Sequence, residues 1–287
     1  MGKLLGSSKA DAEREFSYSR SEFDAVRRML YQLTGIRLAD SKDSMVYSRL
    51  ARRIRALRLN SFQEYLSHLQ THNAETEQFI NALTTNLTSF FREPHHFDIL
   101  GRYLQTHKHV KTIWCAASST GEEPYSIAMV VAETFGRYDV PVQIIASDID
   151  SQVLQKAKAG IYTADRISGL DATRCKQFFY RGKGGKDGLV KVVPELQKMV
   201  QFRQLNLLDK KWDLPAPIDI VFCRNVMIYF DKSTQLGILE RMVQLMSADG
   251  LYVAGHSENF AYATHLVKPA GQTTYTPNLV RGAHGRV

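Results

Sequence analysis

From Ser21 to about Thr85 the apolar positions of the chain recur at gaps of three and four. Phe23, Val26, Leu30 and Leu33 form a one-faced stripe, which is the spacing of an amphipathic helix. Ser21 is placed to cap it, Glu22 and Asp24 fall in its first turn, and Gly35 ends it. A second helix is predicted from about Lys42 to Leu59, with Val46, Leu50, Ile54 and Leu57 on one side. A third covers about Phe62 to Gln70, and a fourth runs from Ala74 to about Thr84 with Phe79, Ile80 and Leu83. Residues 21–85 therefore read as a small all-α domain, preceded by a polar, flexible tail over residues 1–20.

After Phe97 the period changes. Short β-rich runs alternate with helical ones: Thr112–Ala116, Pro124–Phe135, Val142–Ser147, Gln152–Ala159, Val200–Asn206, Ile218–Cys223, Ser233–Met246, Gly250–Gly255 and Thr273–Thr276. Such alternation predicts an α/β, Rossmann-like fold over residues 98–287, a largely parallel sheet with helices on both faces. Residues 86–97 are left as a linker. One stretch, about residues 166–194, breaks the rhythm with Gln177–Arg181, a GKGGKDG turn and Leu189–Val193. It reads as an inserted small antiparallel β-subdomain.

With 287 residues, 44% of them apolar and 23% charged, the chain has enough material for one or two globular domains. No window reaches the roughly 18 consecutive apolar residues of a membrane span, and the first residues lack a signal-peptide core. We therefore expect a cytoplasmic protein with no direct membrane insertion. Met1-Gly2 is discounted as a myristoylation start because Gly6 stands where Ser or Thr belongs. Cys115, Cys175 and Cys223 are odd in number and lack a C-x-x-C pair, so they read as buried thiols rather than as a disulfide or zinc framework. The net charge of +8 favours an acidic partner.

In an open α/β sheet, ligands bind beyond the carboxyl ends of the strands. The first strand is followed by A-A-S-S-T-G-E-E-P, with Gly121 its one glycine and Glu122 and Glu123 following. A pyrophosphate site wants three glycines and no carboxylates, so NAD is disfavoured. The second strand ends at Asp148, placed to accept the ribose hydroxyls of a nucleoside, while Asp150 or Ser151 suits the cap of the next helix. At the end of the third strand, Asn206 and Leu207 can read an adenine edge; the fourth ends in C-R-N-V-M-I-Y-F, residues 223–230. Together these describe a nucleoside bound without phosphates, as S-adenosylmethionine is.

Five segments, N81–E93, S119–S126, A146–D150, F222–F230 and G255–N259, closely resemble the chemotaxis receptor methyltransferases of the CheR type, in order and at the expected spacing over about residues 20–278. The resemblance implies a class I methyltransferase domain using S-adenosylmethionine and releasing S-adenosylhomocysteine. It implies cofactor-holding roles for Asn86, Thr88, Arg92, Glu123, Asp148, Asn206, Leu207, Arg224 and Asn225, and an active-site place for Arg92 and Tyr229. Read without it, residues 84–92 are a polar and aromatic linker that could pack anywhere, and Tyr229 could equally be an aromatic packed under its loop. The implied reaction is methyl esterification of glutamates on the cytoplasmic helices of chemoreceptors, for sensory adaptation. Glutamate is already ionised at neutral pH, with a pKa of about 4.3, so no general base is required. Two rival readings are a receptor-array scaffold that binds the cofactor without turnover and a nucleic-acid methyltransferase. The second is disfavoured because Val-Met-Ile-Tyr follows Asn225 where amino methylases place prolines before an aromatic.

Between Asp43 and Glu64 there are five arginines and no acid. On a helical projection Arg52 and Arg55 point away from the apolar stripe, while Arg49, Arg53 and Arg58 flank it. All five are candidates for recognising an acidic substrate helix, with nucleic-acid phosphate the rival explanation. The inserted β-subdomain is a candidate site for a short C-terminal receptor peptide, as the family implies, through main-chain pairing at an exposed edge. A monomer recruited to membrane receptor arrays is expected, with no metal: His68 and His72 lack a third ligand.

Overall fold

The computed structural model describes residues 14–278, so most of the tail read over residues 1–20 lies outside the described residues. The chain divides into two units, Met1–Thr84 and Thr85–Val287. In the first, α1 (Arg20–Thr34), α2 (Asp43–Ala56), α3 (Phe62–Leu69) and α4 (Asn73–Leu83) enclose a core of Phe23, Val26, Leu30, Val46, Leu50, Ile54, Phe62, Tyr65 and Phe79, all fully buried. Ser19, not Ser21, caps α1. Its hydroxyl accepts from the backbone N–H of Glu22, while the Glu22 carboxylate accepts from the N–H of Ser19 at 2.7 Å. This reciprocal pair satisfies two orphan donors of the first turn, and it starts the helix at Arg20, so Ser21 already lies inside the first turn.

The second unit begins with an irregular segment, then α5 (His95–Thr106), β1 (Thr112–Cys115), α6 (Glu122–Phe135), β2 (Gln143–Asp148) and α7 (Ser151–Ala159). There follow β3 (Ile161–Thr163), α8 (Ala172–Phe178), β4 (Phe179–Arg181), β5 (Leu189–Val192), α9 (Pro194–Lys198), β6 (Val200–Gln204), β7 (Ile218–Cys223), α10 (Lys232–Leu245), β8 (Met246–Ala254), β9 (Val267–Gly271) and β10 (Thr274–Pro277). Seven strands form a mixed sheet in the order β6-β2-β1-β7-β8-β10-β9. Its first five strands are parallel neighbours, and β10 runs antiparallel to β8 and β9. Every residue of β1 and β7 is buried, as expected of central strands covered on both faces. The chain moves outward from β1 through β2 to β6 and then returns to β7 on the other side of β1. That reversal opens a crevice at the carboxyl ends of β1 and β7.

The insert is a three-stranded antiparallel sheet, β3-β5-β4, with Ile161 opposite Lys191 and Lys191 opposite Tyr180. Its hairpin matches the sequence reading, but β3 adds a strand before residue 166. Three residues with one buried side chain carry no period that a sequence can show. The reading also lacks α5, whose stripe is Phe97, Leu100 and Leu104, and the edge strand β9, where Pro269 argues against a strand from sequence. Cys115 and Cys223 are buried, Cys175 is half-buried, and all three are free thiols. No helix among the described residues is long and apolar enough to cross a membrane.

Candidate functional site

The loop after β1 turns back on itself because Ser119 and Gly121 both take left-handed backbone angles, φ 47° and φ 100°. Gly121 has no alternative, since a Cβ there would lie 2.8 Å from the Tyr162 hydroxyl and 2.9 Å from the Ala157 Cβ. The N–H of Ser119 donates to Asp148 Oδ2 at 2.8 Å, and the N–H of Asp150 donates to Oδ1 at 3.0 Å. One carboxylate thus joins the loop after β1 to the end of β2. Asp148 is 8% exposed, and burial pushes its pKa up to about 6 despite those two bonds. Each of its oxygens keeps a further lone pair. The neighbouring acid acts on the backbone instead, since Asp150 caps α7, accepting from the N–H groups of Gln152 and Val153 at 2.9 and 3.2 Å.

The segment preceding α5 is stitched to these loops. Asn86 donates its side-chain amide to Asp150 Oδ2 at 2.8 Å, and its carbonyl accepts from the Ser119 hydroxyl. The carbonyl of Thr88 accepts from Arg166 at 2.6 Å, and Arg166 also pairs with the buried Glu122. Arg92 donates to the carbonyl of Leu87 at 2.9 Å, a bond that uses one of its five N–H groups.

At the end of β7, Arg224 is 4% exposed and paired with Glu123 and, at 3.3 Å, with Glu93. It also donates to the carbonyl of Arg92. Burial alone would raise the pKa of Glu93, but Arg224, the Asn225 amide and the His256 N–H outweigh it and hold the carboxyl below its ordinary value. Glu123 and Arg224, both expected to hold cofactor, are therefore first of all bonded to each other. Asn225 adopts φ 57°, donating its amide to Glu93 Oε1 at 3.2 Å and its backbone N–H to Glu258. Tyr229 ends the short turn Met227–Tyr229 and is half-buried; it makes no aromatic pair among the described residues. Beyond β6, the side chain of Asn206 accepts from the N–H of Leu208, and its carbonyl accepts from Trp212 Nε1 at 3.2 Å. Leu207 is buried, and its carbonyl accepts from Arg241 at 2.8 Å.

The structure thus joins Asn86, Asp148, Glu123, Arg224 and Asn225 through two hydrogen-bonded networks. It adds Ser119, Glu93, Arg166 and Glu258, none of which the sequence reading assigns to the site. The signal for Glu93 and Glu258 was present as lone acids inside two of the quoted segments, but nothing in the sequence names their partners. The five arginines expected on one helix lie in the other unit; α2 ends at Ala56, short of the expected Leu59, so Arg58 falls beyond it with φ 57°. Arg49 donates to the carbonyls of Ala82 and Thr84 at 3.1 and 2.6 Å, and Arg53 forms a two-armed pair with Glu75 at 2.6 and 2.9 Å. Arg55 pairs with Glu15. Arg52 and Arg58 are exposed, and no carboxylate among the described residues pairs with them.

Residues 86–276 match the model of the CheR methyltransferase SAM binding domain, and residues 21–84 match the CheR methyltransferase all-alpha domain. The chain is 54% identical over 268 residues to chemotaxis protein methyltransferase 2 of Pseudomonas aeruginosa, covering 92% of this chain and 95% of that protein. It is 48% identical over 264 residues to the chemotaxis protein methyltransferase of Salmonella typhimurium, covering 91% and 92%. With that of Escherichia coli it shares 48% over 259 residues, covering 90% and 91%.

Proposed function

The chain belongs to the CheR methyltransferase family, and from that premise we propose that it methylates glutamate side chains of chemoreceptors, forming methyl esters. S-adenosylmethionine supplies the methyl group on a sulfonium. The residues at the strand ends fit such a ligand. Ser118 Oγ and Arg224 Nε are buried, with no partner among the described residues, and buried polar atoms call for one. Asp148 has spare acceptor capacity and, among the described residues, no cation paired with it, so it would take the ribose hydroxyls. Asn206 and Leu207 would meet the adenine; Asn86, Thr88, Glu123, Arg224 and Asn225 would frame the remainder.

The substrate carboxylate arrives ionised. What the chain must provide is alignment: the oxygen within about 3 Å of the methyl carbon and opposite the sulfur. A new C–O bond then forms as the C–S bond breaks, and its electron pair stays on sulfur, giving S-adenosylhomocysteine and a neutral ester. Arg92 would grip the methionine carboxylate first, since holding the substrate oxygens tightly would lower their nucleophilicity. Tyr229, half-exposed beyond Asn225 on the same loop, would orient the incoming carboxylate. The observation that supports this reading best is the buried Asp148, with no cation beside it among the described residues, at the carboxyl end of β2 and joined to the loop after β1.

Arg52 and Arg55 on α2, and Arg58 two residues past its end, would face an acidic receptor helix, whereas Arg49 and Arg53 serve the helical unit itself. Residues 161–193 carry seven basic against three acidic side chains, which suits an acidic receptor tail laid along an edge of the small sheet. Through those contacts a monomer would reach membrane receptor arrays. Tritiated methyl from S-adenosylmethionine should enter receptor protein in a base-labile form. Base-stable label, or label in nucleic acid, rejects the reading.

A further inference from the structure

We propose that Glu258 is a positioning residue for methyl transfer, holding the loop after β7 in the single backbone conformation that aims Asn225 and Tyr229. It touches neither reactant. The inference rests on the reading of those two residues given above. On leaving β7 the chain turns at Asn225, which takes φ 57°, a left-handed conformation that asparagine tolerates better than most residues with a side chain but that still needs fixing to be the single one populated. Glu93 holds the Asn225 side chain, and a second carboxylate holds the backbone. Glu258 Oε2 accepts from the N–H of Asn225 at 3.0 Å and of Gly255 at 2.6 Å. Glu258 Oε1 accepts from the N–H of Val226 at 2.9 Å and of Met227 at 2.8 Å. Three successive amides of the loop are thus fixed to the turn after β8, and the acid that fixes them is 4% exposed. The approach is closed to larger residues, because a Cβ on Gly255 would lie 2.7 Å from the Asn225 nitrogen and 2.9 Å from Glu258 Oε2. Tyr229 follows within two residues, its N–H bonded to the carbonyl of Val226, so its placement is inherited from the clamped segment.

Glu258→Gln tests this in the full chain. The amide matches the carboxylate in size but can accept on one arm only, and its NH₂ would face two backbone donors. In the wild type, the amides of Asn225, Val226 and Met227 should exchange slowly with solvent although they belong to no sheet or long helix. In the variant their protection should fall while that of β1 and β2 is kept. With receptor, kcat should drop about 100-fold, the scale expected of a misplaced reacting group. The Kd for S-adenosylhomocysteine, read by calorimetry, should weaken much less, because Asp148 and Asn206 anchor the ligand elsewhere. A variant whose kcat stays within about twofold of wild type, or whose kcat, Kd and protection across the sheet fall together, overturns the inference. If the variant does not fold, fast exchange of the three amides in the wild type does so instead. Failure of the wild type to bind S-adenosylhomocysteine would be a different result, and would sink the proposed function itself.

Discussion

Asp148 is an acid whose environment works against its charge, and that has a sign. Its pKa of about 6 lies above the unfolded value of about 3.9, so the folded chain holds the extra proton between the two and loses stability as pH rises through that window. Ribose hydroxyls donate to the ionised form. Apparent affinity for S-adenosylhomocysteine should therefore be highest above pH 6 and weaken by about tenfold for each pH unit below it. Calorimetric titrations between about pH 5 and pH 8 would show this limb, and Asp148→Asn should bind weakly with no such limb. A wild-type affinity that is flat over the range would remove the ribose assignment. The place of Asp148 is legible in the sequence because it closes a strand. Glu93 and Glu258 are not, since their partners are backbone N–H groups and an arginine reached only by folding: Glu93 meets Asn225 across 132 positions.

At the scale of the element, α2 shows how far periodicity reaches. Its stripe of Val46, Leu50 and Ile54 is buried as the spacing requires, yet the stripe cannot say which flanking arginine is used and which is left to solvent. Arg53 meets Glu75, which is nearly buried and also accepts from the Tyr65 hydroxyl at 2.9 Å. Arg53→Ala would leave that carboxylate buried and unpaired by any cation, which should cost about 3 kcal/mol of stability in urea denaturation. Arg52→Glu with Arg58→Glu should leave stability nearly unchanged and raise the receptor KM several-fold while sparing cofactor affinity. Equal stability losses from both sets would mean that α2 has no division between holding the unit together and meeting a partner. The elements absent from the reading, α5, β3 and β9, fail for separate reasons. The first begins at the end of the expected linker and fills a stretch before Thr112 to which no element was assigned, the second is three residues long, and the third carries a proline tolerated only because it lies at the sheet's edge.

For the whole molecule, the alternation of strand and helix was enough to point to the carboxyl ends of the strands, but the crevice itself follows from the strand order, which alternation does not carry. Charge distribution adds something that topology does not. The chain carries a net +8, and the short insert at 161–193 supplies an excess of four basic residues, half the total in a small fraction of the length. Apart from Arg166, which pairs with the buried Glu122, those groups are surface charges whose reach is set by screening, whereas Arg224 and Glu123 are buried and little affected by salt. Raising salt from about 50 to about 500 mM should lower kcat/KM for receptors about tenfold by weakening the encounter. The Kd for S-adenosylhomocysteine, a ligand of no net charge, should hardly move. Receptors deprived of their last few residues should start from a lower kcat/KM and show a shallower salt dependence, since the charges on the insert would have nothing left to attract. If the truncated and intact receptors respond to salt alike, the excess charge on the insert has no part in recruitment, and the attraction lies with the exposed arginines of α2 alone.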